Sequence, residues 1–210
     1  MPGTAARLLW LLLFAAAFAW IEVAVVAYLR ELYYPQGFRF PVILAPPRIA
    51  AIEIAREAAT ILVMAALARF AGRRFLERLA AFAVVFGVWD LLYYVGLRLL
   101  LGWPESLAEW DVLFLIPVPW LGPVWAPCLV SLGLLAGGGY VYVTADRRRR
   151  YRAADWVLAV AGGLLVIGSF TSEWRAVLER RVPEAFPSWL FALGFATGLV
   201  AFVRAERRRA

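Results

Sequence analysis

Three ionisable residues stand within one helical turn of an otherwise apolar stretch: Glu53, Arg56 and Glu57 in AIEIAREAAT, residues 51–60. Residues on a helix advance by about 100° each, so these three share a stripe with Thr60, beside the small Ala50. A second such face lies in WDLLYYVGLR, where Asp90, Tyr93, Tyr94 and Arg98 line up with Trp89 next to the aspartate. Glu22 and Glu173 are further acids inside or at the end of apolar stretches, and Asp111 follows Glu105 and Glu109 in a connection. Burial in an apolar setting favours the protonated form of a carboxyl group, which makes it a proton donor. Asp90, Glu53 and Glu57 are therefore candidate general acids, and Tyr93 and Tyr94 with their aromatic surroundings are candidates to stabilise developing positive charge. Glu22, Arg56, Trp89, Arg98, Asp111 and Glu173 are the candidate substrate-binding residues.

Other chemistries lack their residues. The chain has no histidine, which removes the commonest general base at neutral pH and a bis-His haem. Its one cysteine, Cys128, sits in an apolar run and reads as a small packing residue. Soft metal sites have almost no ligands, and any metal would have to be held by oxygen. No Walker loop, dinucleotide glycine turn, Ser-His arrangement or paired aspartate-rich motif is present, so no cofactor and no metal are assigned.

Of the 210 residues 64% are hydrophobic, well above the 45–50% usual for a soluble domain, and mean hydropathy is +0.75. Six stretches approach the roughly 20 apolar residues that a spanning helix needs: 8–29, 49–70, 79–101, 124–144, 153–173 and 187–203. The chain reads as all-α, a polytopic integral membrane helical bundle of about six transmembrane helices forming a single transmembrane domain over 1–210. The first stretch continues well past the small Ala17 and Ala19, which predicts an uncleaved first helix.

All 22 basic residues are arginine, and fourteen of them fall on the face that carries the termini. These are Arg7, Arg69, Arg73, Arg74, Arg78, Arg147 to Arg150, Arg152, Arg204 and Arg207 to Arg209. Against them stand Glu77, Asp146, Asp155 and Glu206, leaving +10 there and −3 on the other face. That asymmetry predicts the cell inner (cytoplasmic) membrane with both termini cytoplasmic. It accounts for the pI of about 10.2 without nucleic acid. Membrane lipids are the expected partners, with a membrane-protein partner or homo-oligomer as a further expectation.

The connections opposite the termini are long and rich in proline and aromatic residues. VLFLIPVPWLGPVWAP is broken by Pro117, Pro119, Pro123 and Pro127, so it cannot be one helix. It predicts a Pro-rich re-entrant or interfacial segment capping the bundle, or a plain loop anchored by Trp120 and Trp125. Gly133 with Gly137, and Gly194 with Gly198, are small-residue pairs suited to close helix contacts.

Threading brings the intramembrane polar residues toward the end opposite the termini, which predicts an outward-facing carboxylate, arginine and tyrosine pocket between the first, second, third and fifth spans. Three functions fit it. One is a small enzyme acting on a lipid or isoprenoid by acid catalysis. In general plan this is similar to integral-membrane isoprenoid cyclases that protonate a polyene with acidic side chains, although no motif is shared. The second is a non-catalytic accessory or assembly subunit whose ionisable residues are structural pairs. The third is a proton- or cation-coupled carrier using the same carboxylates as a relay.

Overall fold

The structure is a computed structural model describing residues 3–147, 149 and 151–208. Arg148, Arg150 and Arg209 of the basic face lie outside the described residues. In chain order the elements are α1 (Thr4–Tyr33), α2 (Pro47–Ala71), α3 (Phe75–Leu101), β1 (Trp110–Phe114), β2 (Trp120–Pro123), α4 (Trp125–Val143), α5 (Ala153–Thr171), the single turn α6 (Arg175–Leu178) and α7 (Ser188–Arg207). The chain is an all-α membrane bundle with one two-stranded hairpin.

Among the described residues five helices, α1, α3, α4, α5 and α7, are long and apolar enough to cross a membrane, α5 counted together with the turn that follows it. α2 matches them in length but carries Arg48, Glu53, Arg56, Glu57 and Arg69. It nonetheless runs the depth of the bundle. Near its middle Glu57 meets the hairpin, and at its end the Ala71 carbonyl accepts a hydrogen bond from Tyr142 Oη at 3.0 Å.

Inside and outside are both apolar, so the helices sort their faces by size and polarity rather than by hydrophobicity. α1 buries Leu11, Ala15, Ala19, Glu22, Val23, Ala27 and Arg30, at helical spacing, and turns Leu9, Trp10, Leu13 and Ile21 outward. α3 is the central helix, packed against α1, α2 and α4. A Cβ on Gly87 would lie 2.6 Å from the Ser131 carbonyl oxygen, and one on Gly138 2.8 Å from Ala83 Cβ. These two glycines, rather than Gly133 and Gly137, set the α3–α4 spacing; Gly133 and Gly137 face the rings of Phe195 and Phe202. α3 stops at Gly102, whose φ of 67° is left-handed and whose N–H returns to the Arg98 carbonyl at 3.1 Å.

α5 and α7 form a second unit, backbone against backbone. A Cβ on Gly162 would sit 2.7 Å from Gly194 O and Gly198 N, and one on Gly194 2.8 Å from Gly162 O. At the terminal end Asp155 accepts from Arg208 Nη1 at 2.8 Å and from the Arg152 N–H at 3.0 Å, with only a long 3.8 Å contact from Arg204 Nε to its other oxygen. Glu206 takes Arg149 Nε at 2.7 Å and Tyr151 Oη at 3.1 Å, tying the end of α7 to the α4–α5 connection.

β1 and β2 pair antiparallel, with Trp110 opposite Pro123 and Val112 opposite Leu121, and a register shift between Val112 and Phe114. The Pro-rich segment is thus a hairpin, and it is re-entrant in depth. Phe114 stacks on Phe86 with centroids 6.4 Å apart, a point about 22 Å along α3 from Leu101 at about 1.5 Å per residue.

Gly162→Ala places a methyl group against backbone that cannot give way, and it is expected to cost about 1–3 kcal/mol. Gly163→Ala, with nothing within 4 Å of the added carbon, should be neutral or slightly stabilising. Thermal unfolding of the two variants in detergent checks the contrast.

Candidate functional site

The α2 stripe faces α1. Arg56 is the hub: Nε and Nη2 donate to Glu53 Oε2 at 3.0 and 2.9 Å, and Nη1 donates to Glu22 Oε2 on α1. Thr60 Oγ1 donates to the other oxygen of Glu22 at 2.8 Å. Glu57 lies one turn on from Glu53 and turns toward the hairpin, where its Oε2 accepts the Leu115 backbone N–H at 2.8 Å. A non-helical N–H at that depth needs such an acceptor.

A second ion pair joins α1 to β1. Arg30 Nη2 donates to Asp111 Oδ1 at 2.8 Å, and the same oxygen accepts the Val112 N–H at 2.9 Å. The guanidinium carbon of Arg30 lies 4.1 Å from the Phe38 ring centroid and 3.7 Å from that of Trp103, a double cation–π contact. Burial pushes the Asp111 carboxyl above its ordinary pKa while the Arg30 guanidinium pulls the other way. The Tyr94 hydroxyl bears on this carboxyl, although Oδ2 has no hydrogen-bond partner of normal geometry.

Asp90 faces α4, where Ser131 Oγ donates to its Oδ2 at 2.8 Å. Tyr93 lies between the groups, within electrostatic reach of Arg30, Arg56, Asp90 and Asp111. An aromatic wall continues from it: Tyr93 stacks on Trp89 at 6.2 Å, Trp89 lies 6.5 Å from Phe114, and Phe114 meets Trp120 edge-on at 5.6 Å. Four buried polar atoms at the hairpin have no hydrogen-bond partner among the described residues: Arg30 Nη1, Trp89 Nε1, Asp111 Oδ2 and Trp120 Nε1. Such orphans are uncommon in folded proteins and mark places where water or a ligand group belongs.

The structure therefore gathers Glu22, Glu53, Arg56, Glu57, Trp89, Asp90, Tyr93, Tyr94 and Asp111 around one end of α1, α2, α3 and the hairpin. Arg98 does not join them: its Nη1 donates to the carbonyls of Gly102 and, at 3.0 Å, Pro104. Glu173 pairs with Arg181 at 2.7 Å in the α5–α7 connection. The contribution expected from the fifth span comes instead from α4, through Ser131, and from the hairpin. Arg30 and Ser131 are the residues that sequence reasoning missed. Arg30 was legible as the last member of the Ala15, Ala19, Val23, Ala27 stripe. Ser131 carried no signal beyond being a hydroxyl in an apolar run.

Two cavities, of about 250 and 520 Å³, lie at the opposite end, along α3–α4 and α4–α7, and none of the gathered residues lines either. The gathered residues bond one another, the Ser131 hydroxyl and the hairpin backbone. No family model matches the chain, and no curated protein or solved structure matches it either.

Asp111→Ala would leave Arg30 buried without its counter-charge, and is expected to cost about 3–5 kcal/mol. Removing both charges with Arg30→Met and Asp111→Leu should recover most of that loss. Thermal unfolding of the single and double variants is the check.

Proposed function

We propose that the hairpin end of the bundle holds a lipid or isoprenoid molecule and performs acid chemistry on it, with Asp90 or Glu57 as the proton donor. The observation that carries this reading is the set of four unpartnered polar atoms along an aromatic wall beneath the hairpin. Glu53 and Glu22 are occupied by Arg56, and Asp111 by Arg30. Asp90 and Glu57 are the two acids of the network with no guanidinium on them among the described residues. Transfer of a carboxyl proton to a carbon–carbon double bond leaves a carboxylate and a carbocation. The faces of Trp89, Tyr93 and Phe114 would stabilise that cation, and its loss of a neighbouring proton to the carboxylate closes the cycle.

The regenerated carboxyl proton exchanges with solvent between turnovers, so in D₂O the donor carries deuterium and the reaction marks its product. In liposomes containing isoprenoid polyenes and D₂O, the protein should introduce deuterium into the polyene, detected by mass spectrometry. Asp90→Asn or Glu57→Gln should lower that incorporation by about 10²–10⁴-fold at an unchanged unfolding midpoint. No incorporation by the parent protein, or equal incorporation by both variants, overturns the reading.

A second reading, a non-catalytic accessory subunit, is favoured by the way Glu22, Glu53, Arg56 and Thr60 satisfy one another. Loss of folding in the same variants, together with a stoichiometric partner on purification, would support it.

Both readings take the hairpin end to face away from the cytoplasm of a cell whose inner membrane the protein spans, with both termini inside. The support is the arginine asymmetry of the connections. In a Cys128→Ser background, Ser106→Cys should react with an impermeant maleimide on intact spheroplasts and Arg73→Cys only after permeabilisation. The reverse pattern would invert the topology.

A further inference from the structure

The geometry points to a phosphate site at the other end of the molecule: the cavity between the first turn of α3 and the last turn of α4 binds the phosphate of an anionic lipid. The cavity measures about 250 Å³, roughly eight water volumes at about 30 Å³ each, which leaves room for a phosphate group. Arg74, Arg147 and Arg149 line it, opposed by one acid, Glu77, so its wall carries a formal +2. Leu76, Val141 and Ala145 form an apolar side against which lipid carbon can lie.

The arginines differ in availability. Arg149 is committed to Glu206 and Thr144. Arg74 and Arg147 are exposed and form no ion pair among the described residues, Arg147 making a long 3.4 Å hydrogen bond to Tyr140 Oη. The Glu77 carboxylate is engaged at the Arg73 N–H, 2.8 Å away. The first turn of α3 lines the cavity and has no side-chain cap, so its free N–H groups add to the attraction for an anion.

A free phosphate and a lipid headgroup share this chemistry, and the position favours the lipid. Phe75, Tyr151 and Trp156 cluster at the same end, with ring centroids 5.7 Å apart in both Phe75–Trp156 and Tyr151–Trp156. Such rings sit at headgroup depth.

Native mass spectrometry of the full chain released from mixed phosphatidylglycerol and phosphatidylcholine micelles tests this. The parent protein should retain phosphatidylglycerol in preference to phosphatidylcholine. Arg74→Gln and Arg147→Gln should each lower that retention about fivefold. Arg207→Gln, which removes the same charge from the same end but outside this cavity, should leave it unchanged. Retention that survives an excess of inorganic phosphate identifies the lipid as the ligand. Displacement with binding of the phosphate itself keeps the site and assigns it the free anion. Equal loss in all three variants, no loss in either cavity variant, or equal retention of phosphatidylcholine overturns the proposal.

Discussion

The structure depends on one constraint, which is how to keep a non-helical segment at the depth of a membrane helix. A helix satisfies its own backbone, whereas a two-stranded ribbon satisfies only the edge between its strands. β1 and β2 bond each other, but the Leu115 N–H beyond their last pair has no strand to meet. Glu57 supplies its acceptor from α2. Asp111 fastens the upper end of β1 to Arg30 on α1. An acid in the middle of α2, unfavourable at that depth in isolation, thus becomes the anchor of a segment that could not otherwise lie there.

The same hairpin helps join two units, which also meet where Gly133 and Gly137 of α4 face Phe195 and Phe202 of α7. α1, α2, α3 and α4 pack around small residues of α3, with Gly96 against Val23 and Gly87 against the Ser131 backbone. α5 and α7 pack on each other at Gly162 and Gly194. Between them lies an aromatic stack in which Trp120 of β2 meets Phe170 of α5 at 6.3 Å and Trp125 of α4 meets Phe191 of α7 at 5.2 Å. Where lipid competes on equal terms for apolar surface, large rings in mutual contact and glycines at close approach hold helices together through packing. Loosening the hairpin would therefore release both its own strands and the seam between the two units.

The sequence showed the helices, the breaks at the prolines and the polar stripe of Glu53, Arg56, Glu57 and Thr60, because each is a periodic or local feature. Partner choice was less legible, since it depends on depth and register. Arg98 was assigned to the stripe of Asp90 and Tyr94 by its angle, but the free carbonyls at the end of its own helix are closer. Glu173 found Arg181 within its own connection in the same way. Arg30 has no assigned partner in the sequence because only the register of β1 brings Asp111 to it. The close glycine contacts at Gly87, Gly138 and Gly162 have no short-range pair spacing to announce them, since each meets a residue on another helix.

Asp90 is the one acid of the network whose partner does not explain it. Glu22, Glu53 and Asp111 neutralise arginines, and Glu57 holds a backbone N–H at depth. Asp90 receives a hydroxyl hydrogen bond from Ser131. An asparagine would accept that bond equally well without a carboxyl group to desolvate, and a leucine facing alanine would need no bond at all. What an acid adds over its amide is a transferable proton. At this interface a buried carboxyl group with a single neutral partner among the described residues is costly for packing alone, and that cost is the physical support for the proposal that it serves as a proton donor.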